Sequence, residues 1–212
     1  MQDIKNISEY RQSLKDKILE TAMTSFKQKG IRAVKMDDIA TSLSISKRTL
    51  YEVYENKEAL LAEGVRKYKK ERMEQMTELA AQCDNVMDII IKSFRVKLED
   101  FRLTSPAFFF DLLKYPRIVK SFEEDNKADH NQVVKFFERG IREGFFLDGV
   151  NYELAVHMLD ALNKYIISNQ IYRKYSIEDM FFNLIFVSVR GFCTQKGIEM
   201  LDNSFLKERV QH

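Results

Sequence analysis

The sequence has few of the residues that bend or end regular structure: its 212 residues include two prolines and seven glycines. Proteins built from many strands and tight turns usually need more of both residue types. The hydrophobic content of 45% is high enough for a buried core. The composition therefore excludes a disordered chain and predicts an all-α protein of one or two domains.

Long apolar runs and cysteine motifs are also missing. No run of about 18 uncharged apolar residues occurs, and the chain begins with charged residues such as Asp3, Lys5 and Glu9. Cys83 and Cys193 are far apart and form no CxxC pattern, so we interpret both as reduced, buried apolar side chains. These absences predict a cytoplasmic protein with no membrane segment and no disulfide.

Residue patterns typical of enzymes and metal sites are absent as well. His130, His157 and His212 form no HExxH pair, and the sequence contains no glycine-rich phosphate loop and no GxSxG motif. The acidic residues at 123–125, close to Asp129 and His130, are interpreted as a solvated helix face rather than a metal site. The sequence therefore predicts a protein that is not an enzyme and that needs neither a metal nor a cofactor.

Positive charge is concentrated in the N-terminal third, although the net charge of the whole chain is only +2. Residues 1–70 carry 15 Lys and Arg against 10 Asp and Glu, whereas the rest of the chain carries 19 against 22. A local excess of positive charge is typical of nucleic-acid-binding surfaces, but ordinary protein surfaces also show excesses of this size. Motifs in this third must decide between the two interpretations.

Apolar residues at helical spacing predict a series of short helices in this third. Gly30 is a typical C-terminal cap and ends the first helix. The second helix has apolar residues at three- and four-residue intervals: Met36, Ile39, Ala40 and Leu43. Ser46 is placed to cap a third helix, and Asn56 a long fourth one. The two short helices and their tight turn predict a helix-turn-helix over roughly Met36 to Glu55.

The third helix has an outward face suited to DNA. With Ile45, Leu50 and Val53 inward, five residues point outward: Lys47, Arg48, Thr49, Tyr51 and Glu52. Arg and Lys bind guanine or phosphate, and Thr and Tyr donate hydrogen bonds to phosphate oxygens. The competing interpretations are that Lys47 and Arg48 are plain solvated charges and that the tyrosines complete the domain core.

Three sequence motifs resemble the tetracycline-repressor (TetR) family in order and spacing. They are MDDIA at 36–40, ISKRTLY at 45–51 and YENKEALL at 54–61, and VRGF at 189–192 is a weaker C-terminal likeness. The resemblance implies a three-helix DNA-binding domain with a helix-turn-helix in residues 1–56. It also implies a larger helical ligand-binding and dimerisation domain in residues 57–212.

Site residues follow from the same resemblance. It implies that the third helix is the recognition helix. DNA contacts are then expected from residues on or beside this helix: Lys35, Ser46, Lys47, Arg48, Thr49, Tyr51, Tyr54 and Lys57. Tyr54 matches an aromatic residue that contacts the DNA backbone, and Lys57 matches a phosphate-binding lysine. One position departs from the family pattern, because Ser44 replaces the usual glycine of the turn. A non-glycine residue in a left-handed conformation there is strained by roughly 1 kcal/mol.

The apolar pattern of the C-terminal part predicts further helices and a dimer. The predicted helices cover residues 86–103, 106–114, 116–140 (extending to 143), 151–175 and 176–197. The helix from Asn151 is apolar on more than one side, with one stripe formed by Leu154, Met158, Ala161 and Tyr165. Such a helix buries two surfaces, which favours a homodimer formed by the last two predicted helices.

Phenylalanine is unusually frequent in this part of the chain, and two interpretations remain open. Most of these rings are expected to fill the core, but some could line an apolar pocket for a small lipophilic effector. The candidate pocket residues are Phe109, Phe110, Phe137, Asn163 and Tyr165. The family resemblance then implies a repressor that binds an inverted-repeat DNA operator and is released by the effector. The alternative is a regulator whose larger domain binds a partner protein instead.

Overall fold

The computed structural model describes residues 2–121 and 130–209, and its helices confirm the all-α prediction. The helices are α1 Gln2–Lys29, α2 Met36–Ser42, α3 Lys47–Val53, α4 Lys57–Ala81, α5 Val86–Arg102, α6 Pro106–Leu112, α7 at 116–121, α8 His130–Arg142, α9 Tyr152–Ser168, α10 Ile177–Met180, α11 Val187–Gly191 and α12 Gln195–Arg209. A 3₁₀ turn, Ile171–Arg173, follows α9, and a π-helical segment, Phe181–Phe186, joins α10 to α11. The only extended pairing in the described residues is a bridge between Phe146 and Cys193.

The predicted helix ends in the N-terminal third are confirmed. Gly30 follows α1 in a left-handed conformation with φ +86°. The Ser46 Oγ accepts a hydrogen bond from the Thr49 backbone N–H at 3.0 Å, and the Asn56 Oδ1 accepts one from the Ala59 N–H at 2.9 Å. These side chains satisfy backbone donors that the first turn of a helix leaves free. Helix boundaries here are therefore set by local chemistry.

The prediction of one helix over 176–197 is wrong. The helical backbone ends at Gly191. Residues 192–194 then form antiparallel backbone hydrogen bonds with the segment before α9. Leu147 N–H donates to the Phe192 carbonyl and Thr194 N–H to the Phe145 carbonyl, both at 2.9 Å. A new helix, α12, then starts after Thr194. The helix predicted over 151–175 is also shorter, because α9 ends at Ser168 and Gln170 is left-handed with φ 52°.

Contacts divide the chain into two compact units, and the division differs from the predicted boundary after residue 56. Unit 1 consists of residues 1–75 and 102–122, and unit 2 consists of residues 76–101 and 123–212. Helix α4 contributes to both units. Residues 102–122 belong to unit 1 because they pack on α1: the Ser105 N–H donates to the Lys27 carbonyl at 2.7 Å.

The core of unit 1 joins the helix-turn-helix to α1, α4 and α6. It is formed by apolar residues of these elements that are almost completely buried: Ile18, Ala22, Phe26, Ile39, Ala40, Leu50, Leu60, Leu61 and Phe108. Ala40 of α2 is 2% exposed in this core. A larger residue at this position would separate α2 from α3.

The core of unit 2 is largely aromatic. Its rings come from five helices or their connections: Phe94, Phe137, Phe145, Phe146, Tyr152, Phe181, Phe186 and Phe205. The Phe137 and Tyr152 rings stack with centroids 4.5 Å apart, and Phe94 meets Phe181 edge to face at 4.8 Å. These geometries are favourable for aromatic pairs. The phenylalanine-rich sequence therefore supplies core packing, as the first interpretation held.

Several sequence predictions concern absences, and the structure bears on some of them. Cys83 and Cys193 are both unbonded and buried. Within residues 2–121 and 130–209, no helix is long and apolar enough to cross a membrane, and no cluster of three possible metal ligands is found. The acidic residues at 123–125 and Asp129 lie outside the described residues.

Candidate nucleic-acid interface

The turn between α2 and α3 is a helix C-terminal motif built around Ser44. The Ile45 N–H donates to the Ala40 carbonyl and the Ser44 N–H to the Thr41 carbonyl, both at 3.0 Å. This pair of bonds defines a Schellman motif, which requires a left-handed residue after the helix. Ser44 adopts that conformation with φ 53°. The chain therefore keeps the turn geometry without glycine.

Ser46 and Thr49 fix the first turn of α3. In addition to the cap at the Thr49 N–H, the two hydroxyl oxygens lie 2.8 Å apart in a hydrogen bond. Ser46 is exposed and Thr49 is half-buried. Both predicted contact residues thus have a local structural role, and Ser46 is also exposed to solvent.

The outward face of α3 has the predicted composition. Lys47, Arg48, Tyr51 and Glu52 are exposed, whereas Leu50 is completely buried. The Arg48 side chain is the most open of the charged groups, with 89% of its surface accessible. Tyr51 is 48% exposed although it is a large aromatic residue. An exposed aromatic ring beside two cations is suited to a partner that carries negative charges and planar groups on which the ring can stack.

Each of the two cations is paired with a carboxylate. The Lys47 ammonium donates to the Asp37 carboxylate of α2, which raises the Lys47 pKa because the hydrogen bond favours the charged form. The Arg48 guanidinium donates to Glu52 one turn later at 2.9 Å. Asp37 lies in the first turn of α2. Its pairing with Lys47 depends on the angle between two helices.

Lys35 lies at the other end of this surface, directly before α2. Its side chain is exposed, and its backbone N–H donates to the Asp38 carboxylate at 2.8 Å. That bond orders the start of α2 by satisfying a backbone donor. The ammonium group of Lys35 therefore remains a candidate phosphate contact.

The Lys57 ammonium is bound within the protein, which the sequence did not predict. Its ammonium donates to the carbonyls of Ile31 and Val34 at 2.8 and 2.9 Å, and its side chain is half-buried. Burial lowers the Lys57 pKa, an effect that the nearby Asp111 carboxylate opposes. Because an ammonium has three donors, one N–H is left for a phosphate. Lys57 thus fixes the loop before α2 whether or not it also touches DNA.

Tyr54 requires a correction. Its side chain is 3% exposed and belongs to the unit 1 core, with its hydroxyl oxygen inaccessible to solvent. Burial, followed by the negative charges of Glu63 and Asp16, raises the pKa of this hydroxyl well above its ordinary value. A buried hydroxyl is not available to a DNA backbone. The core interpretation of Tyr54 therefore replaces the predicted contact.

The four candidate pocket residues whose side chains are described are divided between the two units. Phe109 and Phe110 lie on α6 in unit 1, where Phe109 packs against the core of the helix-turn-helix. Phe137 is 5% exposed in the core of unit 2, and Tyr165 is 57% exposed on α9. The Asn163 side chain lies outside the described part of the chain. Sequence reasoning could not assign α6 to unit 1.

Asp111 is a polar residue that sequence reasoning missed. It is 7% exposed on α6, and its carboxylate accepts a hydrogen bond from the Arg32 N–H at 2.7 Å. Asp111 and Lys57 therefore both hold the loop between α1 and α2. A buried carboxylate needs such partners to offset the loss of water. No sequence signal links it to a loop 79 residues away.

Comparison with known proteins agrees with this geometry. Residues 18–63 match the family model described as bacterial regulatory proteins, tetR family. Over 52 residues the chain is 42% identical to the biofilm operon icaADBC HTH-type negative transcriptional regulator IcaR of Staphylococcus epidermidis. This match covers 24% of the chain and 28% of the relative, so it spans little more than a quarter of that protein.

Solved structures extend the likeness to most of the fold. A regulator from Saccharomonospora viridis in complex with choline has a TM-score of 0.67 and 17% identity, covering 87% of this chain and all of the other. A TetR-family regulator from Marinobacter aquaeolei VT8 has a TM-score of 0.67 and 17% identity, covering 90% and 96% of the two chains. At these identities the likeness concerns the fold alone.

A helix-turn-helix with an exposed basic third helix, joined to a larger set of helices, defines a class of DNA-binding regulatory proteins. Within that class, residues 18–63 of the chain match the tetR family of bacterial regulatory proteins. The matched family and relatives are transcriptional regulators and not enzymes.

Proposed function

We propose that the protein is a transcriptional repressor that binds an inverted-repeat operator as a homodimer, with α3 as its recognition helix. The observation that carries the proposal is the solvent-exposed row of Lys47, Arg48 and Tyr51 on a short helix held by a Schellman turn and a serine cap. Such a helix fits the major groove, where arginine reads guanine and lysine neutralises phosphate. The IcaR relative is a negative regulator by name, which supports repression.

The test of DNA recognition is Arg48→Ala. Selection of bound duplexes from a random pool first defines a site, and fluorescence anisotropy then measures binding to that site and to a scrambled duplex. We expect Arg48→Ala to weaken binding to the selected site by roughly 1 to 3 kcal/mol, because a base contact is lost. Lys17→Ala, an exposed lysine of α1, is the control. A selection that enriches no sequence, or an Arg48→Ala variant that binds like the parent, contradicts this function.

We also propose that a small molecule bound by unit 2 weakens operator binding. Two observations support it: the concentration of aromatic residues in unit 2 and the choline complex of the Saccharomonospora viridis neighbour. Aromatic side chains bind both lipophilic molecules and quaternary ammonium ions. Because the five sequence-predicted pocket residues are divided between the units, only Phe137 and Tyr165 of the described set are retained as candidates.

The effector proposal is tested by reciprocal titration. A thermal-shift screen of lipophilic and quaternary ammonium compounds identifies a binder, whose affinity is then measured with and without operator. We expect operator to weaken ligand binding by the same factor by which ligand weakens operator binding, for a coupling of about 1 to 3 kcal/mol. Binders whose affinity does not change with operator contradict the coupling. A screen without binders favours the alternative that this unit contacts a partner protein.

A further inference from the structure

The two cations proposed to contact DNA are both held by carboxylates in the free protein. The Asp37 side chain, 46% exposed on α2, accepts from the Lys47 ammonium, whose side chain is 67% exposed. The Glu52 side chain, 61% exposed on α3, accepts from Arg48. All four groups are thus open to solvent beside the outward face of α3, where a DNA phosphate or base edge would meet them.

These ion pairs are poor candidates for stabilising the fold. Exposed pairs of this kind contribute little to stability, because water and salt screen them and ordering two long side chains costs entropy. In contrast, contacts to phosphates dominate protein–DNA affinity, and a carboxylate at such a contact competes with the phosphate for the same cation. The pairs therefore have their largest effect when DNA approaches.

We propose that Asp37 and Glu52 act as built-in competitors of DNA, Asp37 lowering affinity for every sequence and Glu52 increasing selectivity. This inference rests on the proposed DNA-binding function. The two carboxylates differ in position: Asp37 lies on α2 and competes for an ammonium, a point charge suited to phosphate. Glu52 lies on the recognition helix, where it repels phosphate and accepts a hydrogen bond from the amino group of cytosine. A duplex that offers a cytosine amino group compensates for the negative charge of Glu52 with this hydrogen bond, whereas other duplexes do not.

The experiment uses the full chain with Asp37→Asn, Glu52→Gln and the control Glu138→Gln, which removes an exposed charge from α8 in unit 2. Circular dichroism melts verify that each variant is folded. Anisotropy with the selected and scrambled duplexes is measured at salt concentrations from 50 to 300 mM. Parent protein that binds neither duplex refutes the proposed function itself, which separates that failure from failure of this inference.

For Asp37→Asn we expect binding to both duplexes to become roughly three- to tenfold tighter at low salt, with the selectivity unchanged. The slope of log affinity against log salt becomes steeper by about one, because one more cation contacts phosphate. Lys47→Gln combined with Asp37→Asn abolishes the gain, since no ammonium is then left at this position to contact a phosphate. An Asp37→Asn variant that is folded but binds like the parent or Glu138→Gln, or more weakly, overturns the role of Asp37.

For Glu52→Gln we expect the scrambled duplex to gain more affinity than the selected one, so that their ratio falls by at least about threefold. The amide keeps an acceptor but loses the charge that repels phosphate. A ratio equal to that of the parent overturns the role of Glu52. Repeating the selection with Glu52→Gln adds a second readout, because we expect enrichment of cytosine to fall at one position of each half-site.

Discussion

Ser44 shows how a single residue carries the geometry of the helix-turn-helix. Its left-handed backbone lets the Ser44 and Ile45 N–H groups close the end of α2, and it sets the direction in which α3 leaves the turn. A Cβ atom in that conformation approaches the backbone closely, a cost that glycine avoids. Serine therefore makes this turn less stable than glycine would, although the turn keeps the same geometry.

We predict that Ser44→Gly increases the free energy of unfolding by about 1 kcal/mol, because it removes the Cβ atom from a left-handed position. Urea unfolding followed by circular dichroism measures the change. Ser44→Ala is the matched control: it removes the hydroxyl but keeps the Cβ atom, so its stability should remain close to that of the parent. Equal stabilisation by both substitutions would assign the effect to the hydroxyl group instead.

At the scale of elements, α6 is the segment whose place in the molecule matters most. It docks on the end of α1, where the Asp111 carboxylate binds the Arg32 N–H and where Gly30 leaves no room for a side chain. An ideal Cβ atom built on Gly30 would lie 2.8 Å from the Cβ atom of Ala107. Together with Lys57, these contacts hold the loop that leads into α2, so they help to fix the position of the helix-turn-helix.

We predict that Gly30→Ala lowers the free energy of unfolding by about 2 to 4 kcal/mol, through left-handed strain and overlap with Ala107 together. Gly149→Ala separates the two causes, because Gly149 is also left-handed at φ +83° but has no atom within 4 Å of an added Cβ. Its cost should be only about 1 kcal/mol. Chemical denaturation measures both variants.

A second variant makes the test specific for α6. Adding Ala107→Gly to Gly30→Ala removes the atom that the new Cβ meets and should restore part of the lost stability. If Gly30→Ala costs no more than Gly149→Ala, the close packing of α6 on α1 is contradicted.

The whole molecule presents an apolar stripe that the single chain does not bury. Leu154, Met158 and Tyr165 are 64%, 47% and 57% exposed along one side of α9, while Tyr152 and Val156 of the same helix are buried in unit 2. The helix is apolar on two sides, as the sequence predicted. Exposed Val187 on α11 adds a residue from the second predicted dimer helix.

We predict that Met158→Glu converts a homodimer into monomers at micromolar concentration, because it places a charge in the centre of the stripe. Multi-angle light scattering measures the mass. Leu103→Glu, which replaces an apolar residue 73% exposed outside the stripe, should leave the dimer intact. A parent protein that is already monomeric, or a Met158→Glu protein that stays dimeric, argues against this interface. In the dimer, recognition helices about 34 to 36 Å apart would read successive major grooves.

The sequence by itself determined the features that depend on a few neighbouring residues. Gly30, Ser46 and Asn56 act on backbone groups within four positions, so the helix boundaries of the N-terminal third followed from local chemistry. The spacing of Ala40 and Leu50 likewise placed the helix-turn-helix. Thr194 was an available signal for α12, since its hydroxyl oxygen accepts a hydrogen bond from the Gly197 N–H at 3.4 Å, but the apolar pattern running through it concealed the break.

Only the tertiary structure decided which distant segments meet. The assignment of α6 to unit 1, the burial of Tyr54 and the use of the Lys57 ammonium on carbonyls 23 and 26 residues earlier all depend on long-range packing. So does the pairing of Asp37 with Lys47, which needs a particular crossing of α2 and α3. Periodicity and capping reveal what each segment forms, whereas the partner of a side chain is fixed by the free energy of packing the whole core.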